Sequence, residues 1–122
     1  MEDYQSILEM DIFELLDWLS QRFSVKLPNK VETAEQMNEA SELLLKLTSY
    51  HSYLCELLSY AKVAVRYAKR NYSKTDWEDY VDKQNAIDRW LDIIKQQYTA
   101  LSRAVTIRTE NNKELFMLKD SI

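Results

Sequence analysis

The chain has 122 residues, 46% of them hydrophobic and 30% charged, which suits one domain around one core and excludes a disordered polymer. It contains no glycine and one proline; glycine-dependent hairpins and phosphate-cradling loops are thereby disfavoured, and long helices joined by few loops are expected. The net charge is −4, with eleven acidic and four basic side chains in residues 1–58 and nine and twelve in residues 59–122, a balance unlike that of a general nucleic-acid binder.

The opening MEDYQSILEM is acidic and puts no basic stretch before an apolar run, so it does not read as a signal peptide. No apolar run approaches the roughly 20 residues that span a bilayer. The single Cys55 cannot form an intramolecular disulfide, which fits a reducing compartment. A cytoplasmic protein without membrane association is expected.

A first helix is predicted over about residues 3–23. Tyr4, Leu8, Ile12, Leu15, Leu19 and Phe23 recur at three-to-four spacing, with Glu9, Asp11, Glu14 and Asp17 on the other side. The stretch SVKLPNKVET then breaks it at Pro28-Asn29. Thr33 and Gln36 have the spacing of a capping box, in which the hydroxyl takes an orphan amide and the glutamine reaches back. They open a second helix, about 34–72. Its seam is Met37, Ala40, Leu44, Leu47, His51, Leu54, Leu58, Ala61, Val65, Ala68 and Tyr72, a heptad pattern with His51 as its polar member.

Ser73-Lys74-Thr75 forms a short connection, and Thr75 with Glu78 repeats the capping-box spacing. The third helix, about 76–118, has the seam Trp77, Tyr80, Gln84, Ile87, Leu91, Ile94, Tyr98, Leu101 and Val105, reviving at Leu115 and Leu118. So short a connection makes the two long helices antiparallel neighbours. Centring the turn on Lys74 sets Tyr72 by Trp77, Leu58 by Leu91, His51 by Tyr98 and Leu44 by Val105. The fold class is therefore all-α: residues 1–122 form a single domain, a long helical hairpin with the shorter N-terminal helix packed on its base half.

Each long helix is apolar beyond its seam, so the pair floors a groove about 60 Å long, whereas the first helix spans only about 32 Å. Placed beside residues 34–55, that helix leaves Leu57, Tyr60, Ala64, Tyr67, Ala86 and Trp90 without cover from their own chain. An exposed patch rich in Tyr and Trp marks a protein interface, and a second copy related by a two-fold axis is one cover for it.

Lys62, Arg66, Lys69, Arg70 and Lys74, interleaved with tyrosines, form a basic run that could meet phosphates. Asp76, Glu78, Asp79 and Asp82 fold back beside it, and internal compensation is expected to outweigh phosphate binding. His51 and Cys55 stand four apart but offer only two ligands, so no metal or other cofactor is expected. The acidic pairs Glu39/Glu42 and Asp79/Asp82 sit near the starts of antiparallel helices and cannot converge. With no convergent acids and no nucleophile–base pair, an enzyme is not expected.

Residues 75–115, TDWEDYVDKQNAIDRWLDIIKQQYTALSRAVTIRTENNKEL, resemble small helical proteins encoded by phages and prophages of bacteria. The resemblance covers about a third of the chain and implies an accessory or inhibitor protein acting on a bacterial or phage protein. The functional expectation is a non-catalytic helical bundle that binds and modulates a protein partner, with homodimerisation. The alternative is a nucleic-acid-binding accessory using the basic hairpin tip.

Overall fold

The computed structural model describes residues 3–120, and the side chains of residues 3–111. Four helices follow in order: α1 Tyr4–Glu9, α2 Ile12–Phe23, α3 Ala34–Asn71 and α4 Lys74–Asp120. Among the described residues there is no strand, no residue with positive φ, and no helix long and apolar enough to cross a membrane. The absence of positive φ is what a chain without glycine requires, since a side chain makes that region costly.

The hairpin forms as the seams predict. Ala40, Leu47, Leu54, Leu58, Ala61, Val65 and Ala68 of α3 are buried, as are Ile87, Leu91, Ile94 and Leu101 of α4. The register is visible at the tip, where Lys69 lies over the Trp77 ring at 5.2 Å and Tyr72 stacks on Tyr80 at 6.2 Å. These contacts bracket the expected pairing of Tyr72 with Trp77. Farther down, Leu47, His51, Ile94 and Tyr98 line one cleft, as that pairing requires. Thr48, Lys62, Lys69, Asp88 and Lys95 are exposed, and Cys55 and Ser102 are half-buried. Leu115 and Leu118 fall outside the residues whose side chains are described.

The helix starts show where hydroxyls decide the boundary. At α3, Thr33 Oγ1 accepts from the Gln36 amide at 3.1 Å, and Gln36 Oε1 accepts from the Thr33 and Glu32 amides at 3.1 and 2.9 Å. At α4 the Thr75 box does not form. The helix begins earlier, with the Ser73 hydroxyl accepting from the Asp76 amide at 3.4 Å and the Ser73 carbonyl from the Trp77 amide at 3.0 Å. Capping at Ser73 adds helical bonds that a start at Thr75 would forgo.

The N-terminal segment differs from expectation in two respects. It is two helices, because Asp11 accepts from the Phe13 amide at 3.1 Å and starts a new helix behind an extended Met10. It also docks toward the tip, not on the base half. Tyr4 Oη donates to Glu56 at 2.5 Å, the Tyr4 ring meets Tyr53 and Tyr60 at 5.6 and 6.0 Å, and Lys83 Nζ donates to the Leu8 carbonyl at 2.7 Å. The loop after Phe23 makes this possible. Extended chain covers about 3.3 Å per residue, so residues 24–33 can run back along the base. Val25, Leu27 and Val31 pack on the core as they do so, and Gln97 Nε2 fixes the loop by donating to the Val25 carbonyl at 3.0 Å. An extended loop covers the base that a helix was expected to cover.

Candidate functional site

The two N-terminal helices change which groove residues are open. Leu57 and Ala86 are buried, and Trp90 and Ala64 are half-buried against the core. The length argument left these four uncovered because it held the first helix at the base; with α1 beside Tyr60, their own chain covers them. Tyr60 and Tyr67 remain exposed, at 38% and 58%, and Val63 and Tyr72 are exposed beside them.

The row Tyr53, Tyr60, Tyr67 runs from interior to surface along α3. Tyr53 meets Phe23 and Trp18 at 5.7 and 6.5 Å, and Arg22 lies over its ring at 5.3 Å. Two turns on, Tyr60 meets only Tyr4 among the described rings. Two turns further, Tyr67 meets the edge of Tyr72 at 5.7 Å. Where α1 ends its cover, a cleft of about 450 Å³ opens, lined by Tyr60, Val63, Ala64, Tyr67, Tyr72 and Tyr80, with Gln5, Leu8 and Glu9 of α1 as its wall.

A second cleft continues the first across Glu9, Tyr72 and Tyr80 and adds Asp76, Asp79 and Lys83. Lys83 is 4% exposed. Its ammonium is held by the Leu8 carbonyl, by Asp79 Oδ2 at 2.9 Å and by the Tyr80 ring at 5.1 Å. The Tyr80 phenol is pushed above its usual range, first by burial and then by Tyr72, Glu9, Asp79 and Asp76. Three carboxylates therefore act on one ring at the cleft wall. Sequence pattern found the tyrosines and missed Lys83, because a buried lysine looks like any charged residue on a helix until its partners are placed.

The basic run is exposed throughout, and the expected compensation is limited. Lys74 pairs with Glu78 at 3.9 Å, but Asp79 turns to Lys83. Among the described residues Lys62, Arg66, Lys69 and Arg70 make no ion pair with a carboxylate. Lys69 instead faces Trp77, and Arg66 Nε donates to the Lys62 carbonyl at 3.5 Å. Lys62, Arg66 and Lys69 occupy one stripe of α3, and Tyr60, Val63 and Tyr67 another.

The seam histidine has a second neighbour besides Tyr98. The sulfur of half-buried Cys55 lies 3.7 Å from His51 Nδ1, and Tyr98 lines a cleft with His51 without a hydrogen bond to it among those described. Among the described residues no three His, Cys, Asp or Glu side chains are grouped to hold a metal ion. Comparison with protein families, curated proteins and solved structures finds no match to this chain.

Proposed function

We propose that this chain is a non-catalytic interaction protein that binds and modulates a protein partner through the aromatic face at the hairpin tip. The observation that carries this is the contiguous exposure of Tyr60, Val63, Tyr67 and Tyr72 around one cleft of the hairpin. Large aromatics bring much contact area at low entropic cost, which is why they anchor interfaces. Tyr60, Val63 and Tyr67 stand on α3 and Tyr72 caps it, so little ordering is needed before a partner docks. Light scattering at micromolar concentration reads whether a second copy of the chain takes this face instead.

The test pairs capture with a surface variant. A partner retained by the native chain should be lost with Tyr67→Ser, which removes an exposed ring without opening the core. Retention of the same partner by Tyr67→Ser would place the binding face elsewhere.

The unpaired Lys62, Arg66, Lys69 and Arg70 favour a second reading, contact with nucleic acid along the other stripe of α3. Phosphate contacts weaken steeply with salt, whereas an apolar interface does not. Mobility-shift binding that collapses with salt and with Arg66→Ala and Arg70→Ala together would establish it.

A further inference from the structure

We propose that the tip cleft is a receptor for one cationic side chain, an arginine or lysine carried by an otherwise apolar segment of a heterologous partner protein. This rests on the docking reading above and adds the partner's chemistry to it.

The cleft joins the two groups that a desolvated cation needs. Its lining is aromatic: Tyr67 meets Tyr72 edge-on at 5.7 Å, Tyr80 is already engaged by Tyr72 at 6.2 Å and by Lys83, and the exposed Tyr60 and Tyr67 rings are left to an incoming group. Ring faces attract cations through their quadrupoles. The rim is carboxylate. Glu9 lines both halves of the cleft, and Asp76 lines the second half. Gln5 donates to Glu9 at 3.2 Å, which holds that carboxylate while leaving it without an ion pair among the described residues. Asp76 likewise has none.

The chain's own cations show the same chemistry on this tip. Lys83 lies over one face of Tyr80, and Lys69 lies over Trp77. Lys83 is committed to Asp79 and to the Leu8 carbonyl, so it closes the back of the site and cannot swing into the cleft without stranding both. Glu9 and Asp76 stay available to an incoming charge. The apolar walls Leu8, Val63 and Ala64 suit the aliphatic stem of arginine or lysine and the residues beside it.

A second copy of the chain is a poor occupant. A two-fold axis through the cleft would set its Glu9 and Asp76 carboxylates against their own copies, like charge facing like. A cationic side chain from a different surface avoids this.

The experiment uses the full chain and three acetylated, amidated pentapeptides, Ala-Leu-Xaa-Leu-Ala, with arginine, citrulline or glutamate at the centre. Citrulline keeps the shape of arginine and removes its charge. Tyrosine-ring shifts by NMR report where and how tightly each peptide binds. The arginine peptide should bind about tenfold more tightly than citrulline, shift Tyr67, Tyr72 and Tyr80, and outcompete the glutamate peptide entirely. Glu9→Gln with Asp76→Asn should weaken the arginine peptide about tenfold and leave citrulline unchanged; both positions are exposed, so the fold is not at risk. Equal affinity for arginine and citrulline would overturn the cation receptor while leaving an apolar docking face intact. Absence of binding by all three, or shifts confined to other rings, would overturn it as well. A dimer that dissociates with Tyr67→Ser and excludes the arginine peptide would identify a second copy as occupant and overturn the proposal. Arginine selectivity together with partner capture insensitive to Tyr67→Ser would refute the docking reading and leave the cation site standing.

Discussion

A lysine ammonium taken out of water must regain its hydrogen bonds or give up its charge. Lys83 regains them from the Leu8 carbonyl, Asp79 and the Tyr80 ring. In doing so it satisfies a carbonyl that α1 leaves open where it ends. Lys83→Met should therefore cost about 1–3 kcal/mol, the usual penalty for stranding a buried acceptor, and urea unfolding will measure it. A loss under about 0.5 kcal/mol would mean that water replaces the ammonium. Tyr4 tethers the other side of α1. Its hydrogen bond to Glu56, followed by burial and the Glu56 charge, pushes its pKa up to about 12 from 10.0. Because the folded value is the higher one, the tether's contribution is full below about pH 10 and disappears as pH rises through about 12. The stability difference between the native chain and Tyr4→Phe should thus be flat from neutral pH to about 10 and shrink above it. A difference already fading near pH 8 would show that the tether does not control α1.

Helix starts reveal how local chemistry sets element boundaries. Thr33 and Gln36 form the box that their spacing predicts, whereas at α4 Ser73 takes the role assigned to Thr75. Both have a hydroxyl and a partner three residues on, and the earlier one wins because it lets the helix add bonds. Asp11, three before Glu14, was a legible start signal inside the apolar stripe of 3–23; periodicity alone carried the stripe across the break. The hairpin register belongs to this scale as well. Cysteines placed at 58 and 91, in a Cys55→Ser background, should crosslink within one chain, since both native side chains lie in the buried seam and disulfides need Cα separations under about 7 Å. Efficient coupling of 58 to 105 instead would shift the register by four turns.

At the scale of the molecule, the placement of α1 and α2 divides the groove into core and surface, and the two parts respond differently to truncation. Trp90 is half-buried against the core, so Trp90→Ala should cost about 3 kcal/mol, the low end for large aromatic truncations. Tyr67 is exposed, and Tyr67→Ser should change stability by less than about 0.5 kcal/mol while weakening partner binding. Thermal unfolding and binding measured on both variants separate the roles. A Trp90→Ala protein of native stability would mean that the groove is open at Trp90, as the sequence alone suggests.

The sequence determined the helical class, the hairpin and its register, because a heptad seam is a local repeat and a short connection leaves two such seams one way to meet. It also marked the aromatic row of α3, two of whose members, Tyr60 and Tyr67, stay open. It did not determine how far up the hairpin the N-terminal helices dock. That level depends on the path of residues 24–33, and an extended loop and a compact one share the same composition. The tertiary structure decided it through three contacts distant in sequence: Tyr4 with Glu56, Lys83 with Leu8 and Gln97 with Val25. Those contacts bury Leu57 and Ala86, leave the tip tyrosines at the surface, and bring the Glu9 carboxylate to the rim of their cleft. No periodicity encodes such a meeting, since its partners lie on different elements and touch only after each has folded.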